Sequence, residues 1–543
     1  MLQSKQHISD LASMLVHLGI SGVVISPGSR NAPLIRAFAK QKAKLYSIVD
    51  ERSAAYFALG LTLKTKTPTV LLCTSGTAVL NYAPAIAEAF YQQVPLLVLT
   101  ADRPPEAICQ NENQTIYQEA IYGKNCKNAF NMICEPASFD DWKKALDTVY
   151  LAYHLCITGD KGPVQINIPL REPLYNALPD ITDYSNLNLK EIENQEHEKL
   201  DKEYFEGNPA VLIVVGQYEK DDRLQEIIND LLKIKIVVYA ESISNLKGEG
   251  ILTNGDFITD SLPKPDIVVF TGGQVVSKRM NSWLRSLKNT LFIQFAFSAR
   301  MHQPFGQDCK LVKAELYLSV DILKELEPQT SFHNSWLDAF KTWKQKRNQH
   351  ITKVDYSDIT AARKLNENLP ENSVLFLGNS SVIRNMQLFD ISVKEVFANR
   401  GTSGIDGCLS TAVGIANVTT KNVFVVLGDI SFLYDSNGLW NNHLPGNLKI
   451  IVFNNGGGEI FKLINEPSEI KDILPYQETQ QNIDIAKLCD VYGVEYVEVK
   501  EETNFTAVFN KFIKIDKTPA LLEINTRLAK NAHIFKSFIK KIK

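Results

Sequence analysis

Nowhere in this chain of 543 residues do two cysteines stand in Cys-x-x-Cys spacing; the eight that occur are scattered, several of them inside apolar runs. That pattern suits reduced thiols better than a disulfide framework or a zinc site, and a reducing compartment is expected. No run approaches 18 apolar residues, and Met1 to Ile20 has amphipathic spacing without the charged-then-apolar order of a secretory leader. A cytoplasmic protein with no transmembrane segment is therefore expected. Basic excess is also missing: the formal charge is −3 with 22% charged residues, which argues against a nucleic-acid partner or a basic membrane face. Anionic ligands must then be met by local arginines. The nine histidines show no ligand spacing, and no Gly-x-Gly-x-x-Gly follows a predicted strand, which weakens a nicotinamide dehydrogenase reading. There is no low-complexity tract and no short repeat.

What is present is α/β alternation. Short apolar runs at Gly22 to Ile25, Leu45 to Val49, Thr69 to Cys73 and Pro95 to Leu99 are separated by helical stretches, the pattern of βαβ units and a parallel sheet. It returns at Val374 to Leu377, Val423 to Leu427 and Lys449 to Phe453. Between these lies a segment with its own strands at Ala210 to Val215, Lys235 to Tyr239, Asp266 to Phe270 and Leu291 to Phe295, entered by a polar linker at Tyr184 to Gly207 and left through the charged helical stretch Trp336 to His350. The length exceeds what one core supports. Three α/β domains are expected, each a mostly parallel sheet flanked by helices: 1–183, 184–354 and 355–543.

Two strand ends carry the strongest chemical signal. Gly428-Asp429-Ile430-Ser431 closes one apolar run and Asn454-Asn455-Gly456-Gly457 closes the next. Either alone reads as a helix cap or a turn. Together they place a carboxylate and a carboxamide at the carboxyl edge of a parallel sheet, where such folds bind ligands, and suit Mg²⁺ holding a diphosphate. Ser431, opening the next helix, is placed to donate to that diphosphate, whereas Asp435 and Asn437 read first as helix-face residues, with support of the loop as the alternative. Arg30, Arg103, Arg384 and Arg400 each stand close after a predicted strand end. Guanidinium forks pair with carboxylates, so four in that class of position point to a polyanion pocket. Glu51 opens a helix that continues through Leu63, a placement the helix dipole favours by itself.

The Gly-Asp pair followed by Asn455 resembles the cofactor motif of the thiamine diphosphate-dependent enzymes. Ser26 to Arg30, Asp50-Glu51-Arg52, Thr100 to Glu106, Gly378-Asn379-Ser380, Asn399 to Gly407 and Gly458 to Phe461 resemble, in order, one branch of that family, the menaquinone-pathway synthases. The resemblance implies a transferase that decarboxylates 2-oxoglutarate on thiamine diphosphate and adds the succinyl semialdehyde unit to isochorismate, with Mg²⁺ or Mn²⁺. It implies Glu51 as the catalytic acid/base on the cofactor's pyrimidine. Gly401, Ser403, Gly404, Ile405, Gly428, Asp429, Ile430, Ser431, Asn455, Gly457, Ile460 and Phe461 would line the cofactor, with Ile405 as the wedge beneath it. Asp429, Asn455 and the Gly457 carbonyl would hold the metal. Ser29, Arg30, Arg103, Gln114, Lys278, Arg279, Ser380, Arg384 and Arg400 would meet the substrates, beside an apolar wall of Ile460, Phe461 and Ile464. Ile430 stands where the wider family carries a third glycine. A homodimer or homotetramer with active sites at subunit interfaces is implied too. Simple 2-oxo acid decarboxylases and acetolactate-type carboligases need fewer cationic partners than this chain offers. A catalytically silent scaffold would not need Glu51, Asp429 and Asn455 together.

Overall fold

The computed structural model of the protein describes residues 3–183, 197–297, 304–327, 329–464 and 471–543; most of the expected linker, 184–196, lies outside them. Three sheets of six strands are present. The first contains β1 (Val23–Ile25), β2 (Leu45–Ser47), β3 (Thr69–Cys73), β4 (Leu96–Asp102), β5 (Asn128–Asn131) and β6 (Val164–Pro169). The second contains β7 (Val211–Val215), β8 (Val237–Ala240), β9 (Ile251–Leu252), β10 (Ile267–Thr271), β11 (Leu291–Phe295) and β12 (Cys309–Val312). The third contains β13 (Val374–Leu377), β14 (Glu395–Phe397), β15 (Val423–Gly428), β16 (Leu448–Asn454), β17 (Glu495–Val499) and β18 (Ala520–Asn525).

The first sheet runs β2-β1-β3-β4-β6-β5 and the third β14-β13-β15-β16-β18-β17, the same permutation twice. Strand pairing is parallel, for example Val23 with Val70 and Val374 with Val423. Parallel strands need crossover helices on both faces, so their residues are buried on both sides and read as unbroken apolar runs. Strands β3 and β13 are buried at every position, and both were legible as such runs. The reversal of strand order falls between β1 and β3 in the first sheet and between β13 and β15 in the third, and it is at such a reversal that α/β sheets open a crevice for ligands.

Strands β5, β6, β9, β12, β14, β17 and β18 were not legible. Edge strands β5 and β17 are polar and partly exposed. In β6, Gln165 and Asn167 are buried and donate to neighbours: Asn167 Nδ2 to Asp102 at 2.8 Å and Gln165 Nε2 to the Thr100 hydroxyl at 3.1 Å. Strand β2 stops at Ser47 rather than running to Val49, which is 53% exposed.

The chain divides into two compact units. One comprises Met1–Gln195, Asn399–Thr420 and Leu433–Leu448; the other comprises Glu196–Ala398, Lys421–Phe432 and Lys449–Lys543. In the first, the core of the β1–β6 sheet is closed by the helices Gln6–His17 and Phe139–Ile157. In the second, one continuous core joins faces of the second and third sheets, around Trp283, Trp336, Phe424 and Phe509.

Within the first unit the helix Glu51–Thr65 lies against the helix Cys408–Ala416, backbone on backbone. A Cβ at Gly60 would sit 2.0 Å from the Thr411 carbonyl oxygen, and one at Gly414 would sit 2.1 Å from that of Phe57. Overpacking of this kind costs about 1–3 kcal/mol. Gly60→Ala and Gly414→Ala are each expected to lower the calorimetric melting temperature of the unit that carries Glu51; unchanged melting would show that the helices can part without penalty.

Candidate active site

The first unit carries Ser29, Arg30, Glu51, Arg103, Gln114, Arg400, Gly401, Ser403, Gly404 and Ile405. Glu51 is the first residue of its helix because Asp50, just before it, caps the helix by accepting from the Ser53 N–H at 2.9 Å. The second Asp50 oxygen accepts from Asn437 Nδ2 at 2.7 Å, and Arg52 donates to the Tyr434 carbonyl. Burial pushes the Glu51 carboxyl above the ordinary range, the neighbouring Asp50 charge adds to this, and Asn81, 3.5 Å away, pulls it back. A carboxyl raised in this way can hold a proton and return it.

Around the β1 and β4 ends, Arg30 is buried, donating to the Leu170 carbonyl at 2.7 Å and pairing with Glu172 at 3.2 Å. Burial first, and then the Arg103 charge, lower the stability of its cationic form, against Glu172 and Asp102. Two guanidinium groups thus share one field, which an anion would relieve. Gln114, at φ 53°, packs on Gly76.

The glycine-rich loop after Arg400 is held by a residue the sequence pattern did not single out. Glu88, 1% exposed, accepts from the N–H groups of Gly401 and Thr402 at 2.6 and 2.7 Å and from the Thr402 hydroxyl at 2.7 Å. The signal was present: a lone carboxylate in Ala83–Tyr91, an otherwise apolar helix, must have buried partners. Asp435 corrects the helix-face reading. It is fully buried and accepts from the Ser410 N–H and hydroxyl at 2.7 and 3.0 Å, securing the helix that follows the loop, and Asn437 serves Asp50 as described.

The second unit carries Lys278, Arg279, Ser380, Arg384, Gly428, Asp429, Ile430, Ser431, Asn455, Gly457, Ile460 and Phe461; the side chain of Ile464 lies outside the described residues. Asp429 follows β15, as the first residue of the helix Asp429–Tyr434, and Asn455 follows β16. The Asp429 carboxylate is 2% exposed. One oxygen accepts from the Ile430 N–H at 2.8 Å, the other from the Gly456 N–H at 3.0 Å and from Gln481 Nε2 at 2.8 Å. Burial raises its pKa, against these donors and Arg527. Nearby Asp358 is buried as well, and the Asp429 charge helps push it up.

A divalent cation fits here. The donors are hard oxygens, and two buried carboxylates share one field. Beside Gly428 a Cβ would meet nothing nearer than 3.8 Å, so there is room for a ligand. Among the described residues no three His, Cys, Asp or Glu side chains form a metal cage.

Ser380 sits at φ 71°, ψ −132°, a region that side-chain-bearing residues rarely occupy, and Arg384 donates to its carbonyl at 2.7 Å. With Gln114 and Ser403 (φ 62°), three residues named from sequence are held in left-handed conformations, the kind of strain that collects where ligands bind. Burial, then the Arg384 charge, lower the Lys278 pKa, so these two cations also share a field. Arg279 Nε donates to the Ile258 carbonyl, and its charge partly offsets the burial of the Asp256 carboxyl. Glu241, 1% exposed, accepts from the N–H groups of Val276 and Ser277 at 2.6 and 2.8 Å and so fixes the start of the helix bearing Lys278. Ile460 and Phe461 are half-buried on a short helix, beside the Lys462 bridges to Glu459 and Glu478.

Three family models match in chain order: "thiamine pyrophosphate enzyme, N-terminal TPP binding domain" over residues 8–121, "middle domain of thiamine pyrophosphate" over 238–377, and "thiamine pyrophosphate enzyme, C-terminal TPP binding domain" over 379–524. Curated relatives named 2-succinyl-5-enolpyruvyl-6-hydroxy-3-cyclohexene-1-carboxylate synthase are similar over nearly the whole chain. The one from Cytophaga hutchinsonii is 36% identical, covering 99% of both chains, and the one from Flavobacterium psychrophilum is 37% identical, covering 96% of both. The crystal structure of benzoylformate decarboxylase from Polynucleobacter necessarius superposes with a TM-score of 0.74 at 16% identity, covering 98% of this chain and all of that one; that likeness is one of fold.

Removing Glu88 would strand three donors, and hydrogen bonds to a charged group are worth about 1.5–3 kcal/mol each. Glu88→Ala is expected to destabilise the first unit by roughly 3 kcal/mol and to expose residues 400–407 to limited proteolysis, with Glu88→Gln intermediate. Equal urea midpoints and equal cleavage would contradict this role.

Proposed function

This chain belongs to the 2-succinyl-5-enolpyruvyl-6-hydroxy-3-cyclohexene-1-carboxylate synthase family of thiamine pyrophosphate enzymes, and on that premise we propose how its residues divide the work. It is a transferase of menaquinone biosynthesis, with 2-oxoglutarate and isochorismate as substrates and Mg²⁺, or Mn²⁺ in its place, as the metal. The observation that carries the substrate reading is the pairing of like charges: Arg30 beside Arg103, and Lys278 beside Arg384. Cations held together at the cost of mutual repulsion suit substrates that bring several carboxylates.

Thiamine diphosphate, when bound, supplies the nucleophilic carbon and the electron sink that decarboxylating a 2-oxo acid requires. The protein's part is binding, orientation and proton management. Asp429, Asn455 and the Gly457 carbonyl hold the metal, and Ser431 donates to the diphosphate. Glu51 holds a proton at the pyrimidine ring nitrogen and takes it back, a role that its raised pKa supports. Ile405 with Gly401, Ser403 and Gly404 shapes the support beneath the cofactor, and Gly428 and Ile430 flank its diphosphate. Arg30, Arg103, Lys278, Arg279, Arg384 and Arg400 orient carboxylates. Ser29, Gln114 and Ser380 add polar contacts, and Ile460 and Phe461 form an apolar wall.

The proposed domains are a pyrimidine-binding domain at 1–183, a central domain at 184–354 and a diphosphate-binding domain at 355–543. They assemble as a homodimer or homotetramer with active sites at subunit interfaces. Scattered thiols, none of them in a disulfide among the described residues, accord with a cytoplasmic location, and among the described residues no helix is long and apolar enough to cross a membrane.

The test is reconstitution: purified protein, thiamine diphosphate, Mg²⁺, 2-oxoglutarate and isochorismate, with each omitted in turn, followed by isochorismate absorbance and product mass. Consumption should need every component. Glu51→Gln should lower turnover by about 10²–10⁴-fold, the range for a lost proton-transfer group, while thiamine diphosphate still binds. Carbon dioxide release without use of isochorismate would overturn the acceptor assignment, and unchanged turnover in Glu51→Gln would overturn the role of Glu51.

A further inference from the structure

A carboxamide is an ambiguous metal ligand: its oxygen can coordinate a cation and its NH₂ cannot, and a half-turn about the last side-chain bond exchanges them. In this structure Asn455 is not free to choose. Its Nδ2 donates to Asp358 Oδ2 at 2.9 Å, and a carboxylate can only accept. Oδ1 of Asn455 meets the Gly457 N–H at 3.4 Å, too long to occupy it.

Asp358 is itself immobilised. Its other oxygen accepts from the Thr526 hydroxyl at 2.5 Å, and its backbone N–H donates to Asn531 Oδ1 at 2.8 Å. Asn531 Nδ2 donates in turn to the Thr526 carbonyl at 3.3 Å. Ser357 and Thr360 form a capping box at the start of the helix Asp358–Asn368, which sets the backbone from which Asp358 projects. Thr526 and Asn531, distant in sequence, thus hold Asp358 in place on the Asn455 amide.

We propose that Asp358 is a positioning residue for the metal site: it locks the Asn455 carboxamide with Oδ1 toward the divalent cation and the NH₂ away from it. This rests on the reading of Asn455 as a metal ligand. Groups that orient a metal's ligands typically contribute 10–100-fold in metal affinity.

The test measures Mn²⁺ binding directly, by electron paramagnetic resonance of free Mn²⁺ in the presence of thiamine diphosphate, with the melting temperature of each metal-free variant alongside. Asp358→Asn can turn either its oxygen or its NH₂ to Asn455, so it no longer dictates which end of that carboxamide faces the cation, and it is expected to weaken Mn²⁺ binding about 10-fold or more. Asn455→Asp is expected to weaken it similarly, although a carboxylate is by itself the better ligand for a hard cation, because two carboxylates would then face each other. The double variant D358N/N455D restores donor to acceptor and leaves an oxygen for the metal, so its affinity should return to within about 3-fold of the parent, on the scale of the loss above. General damage to the fold would accumulate in the double variant instead.

Single variants that bind Mn²⁺ like the parent, or a double variant no better than its singles, would overturn the proposal. If D358N fails to fold, N455D decides alone: unchanged or tighter binding overturns it. Asp429→Asn and Asn455→Ala serve as references. If they retain Mn²⁺, the metal-site reading itself fails; if they lose it while D358N does not, only the role of Asp358 fails.

Discussion

Burying a carboxylate without stranding it is the constraint on which the rest of this structure depends. Glu88, Glu241, Asp358, Asp429 and Asp435 are all buried, and removing an ionised carboxyl from water is tolerable only where donors surround it. In each case the donors belong to a segment that would otherwise wander. Glu88 gathers the loop at 401–402, Glu241 the turn at 276–277, and Asp435 the start of the helix at 408. Asp429 draws in the turn after β16 through the Gly456 N–H. These loops are held from the inside by buried carboxylates and not by packing alone.

The sheets decide where that ordering happens. Because all strands of a parallel sheet end at the same edge, loops after β1, β4, β13, β15 and β16 are delivered to ligand-binding edges. The first and third sheets use one strand permutation for two different tasks. The first places Glu51 and the Arg30–Arg103 pair, and the third places the Asp429–Asn455 pair and Ser380–Arg384. What differs is the residue at each strand end, as expected where function is grafted onto a fold.

How much of this could be read beforehand follows from the same physics. Central strands such as Thr69–Cys73 and Val423–Gly428 are buried on both faces, so each announces itself as an apolar run, and the three-domain α/β plan followed from them. Asp429 and Asn455 were legible because each stands at the end of such a run. Strands β5, β6 and β17 were not, since polar residues interrupt their apolar pattern. Glu88 left a trace as a charge in an apolar helix. Gln481 and Asp358 left none: both act through contacts with residues tens of positions away, and no local pattern encodes such a meeting. Asp435 misled because an acidic residue soon after a short helix ordinarily faces solvent.

The central claim is that the buried acids beside β15 and β16 form a cation site that recruits a diphosphate. Titration calorimetry of the protein with thiamine diphosphate, first with Mg²⁺ and then with excess EDTA, followed by thiamine lacking the diphosphate, tests it directly. Saturable heat with thiamine diphosphate and Mg²⁺, lost with EDTA and absent for thiamine, is the result this account predicts. Equal binding in EDTA, or equal binding of thiamine, would contradict it.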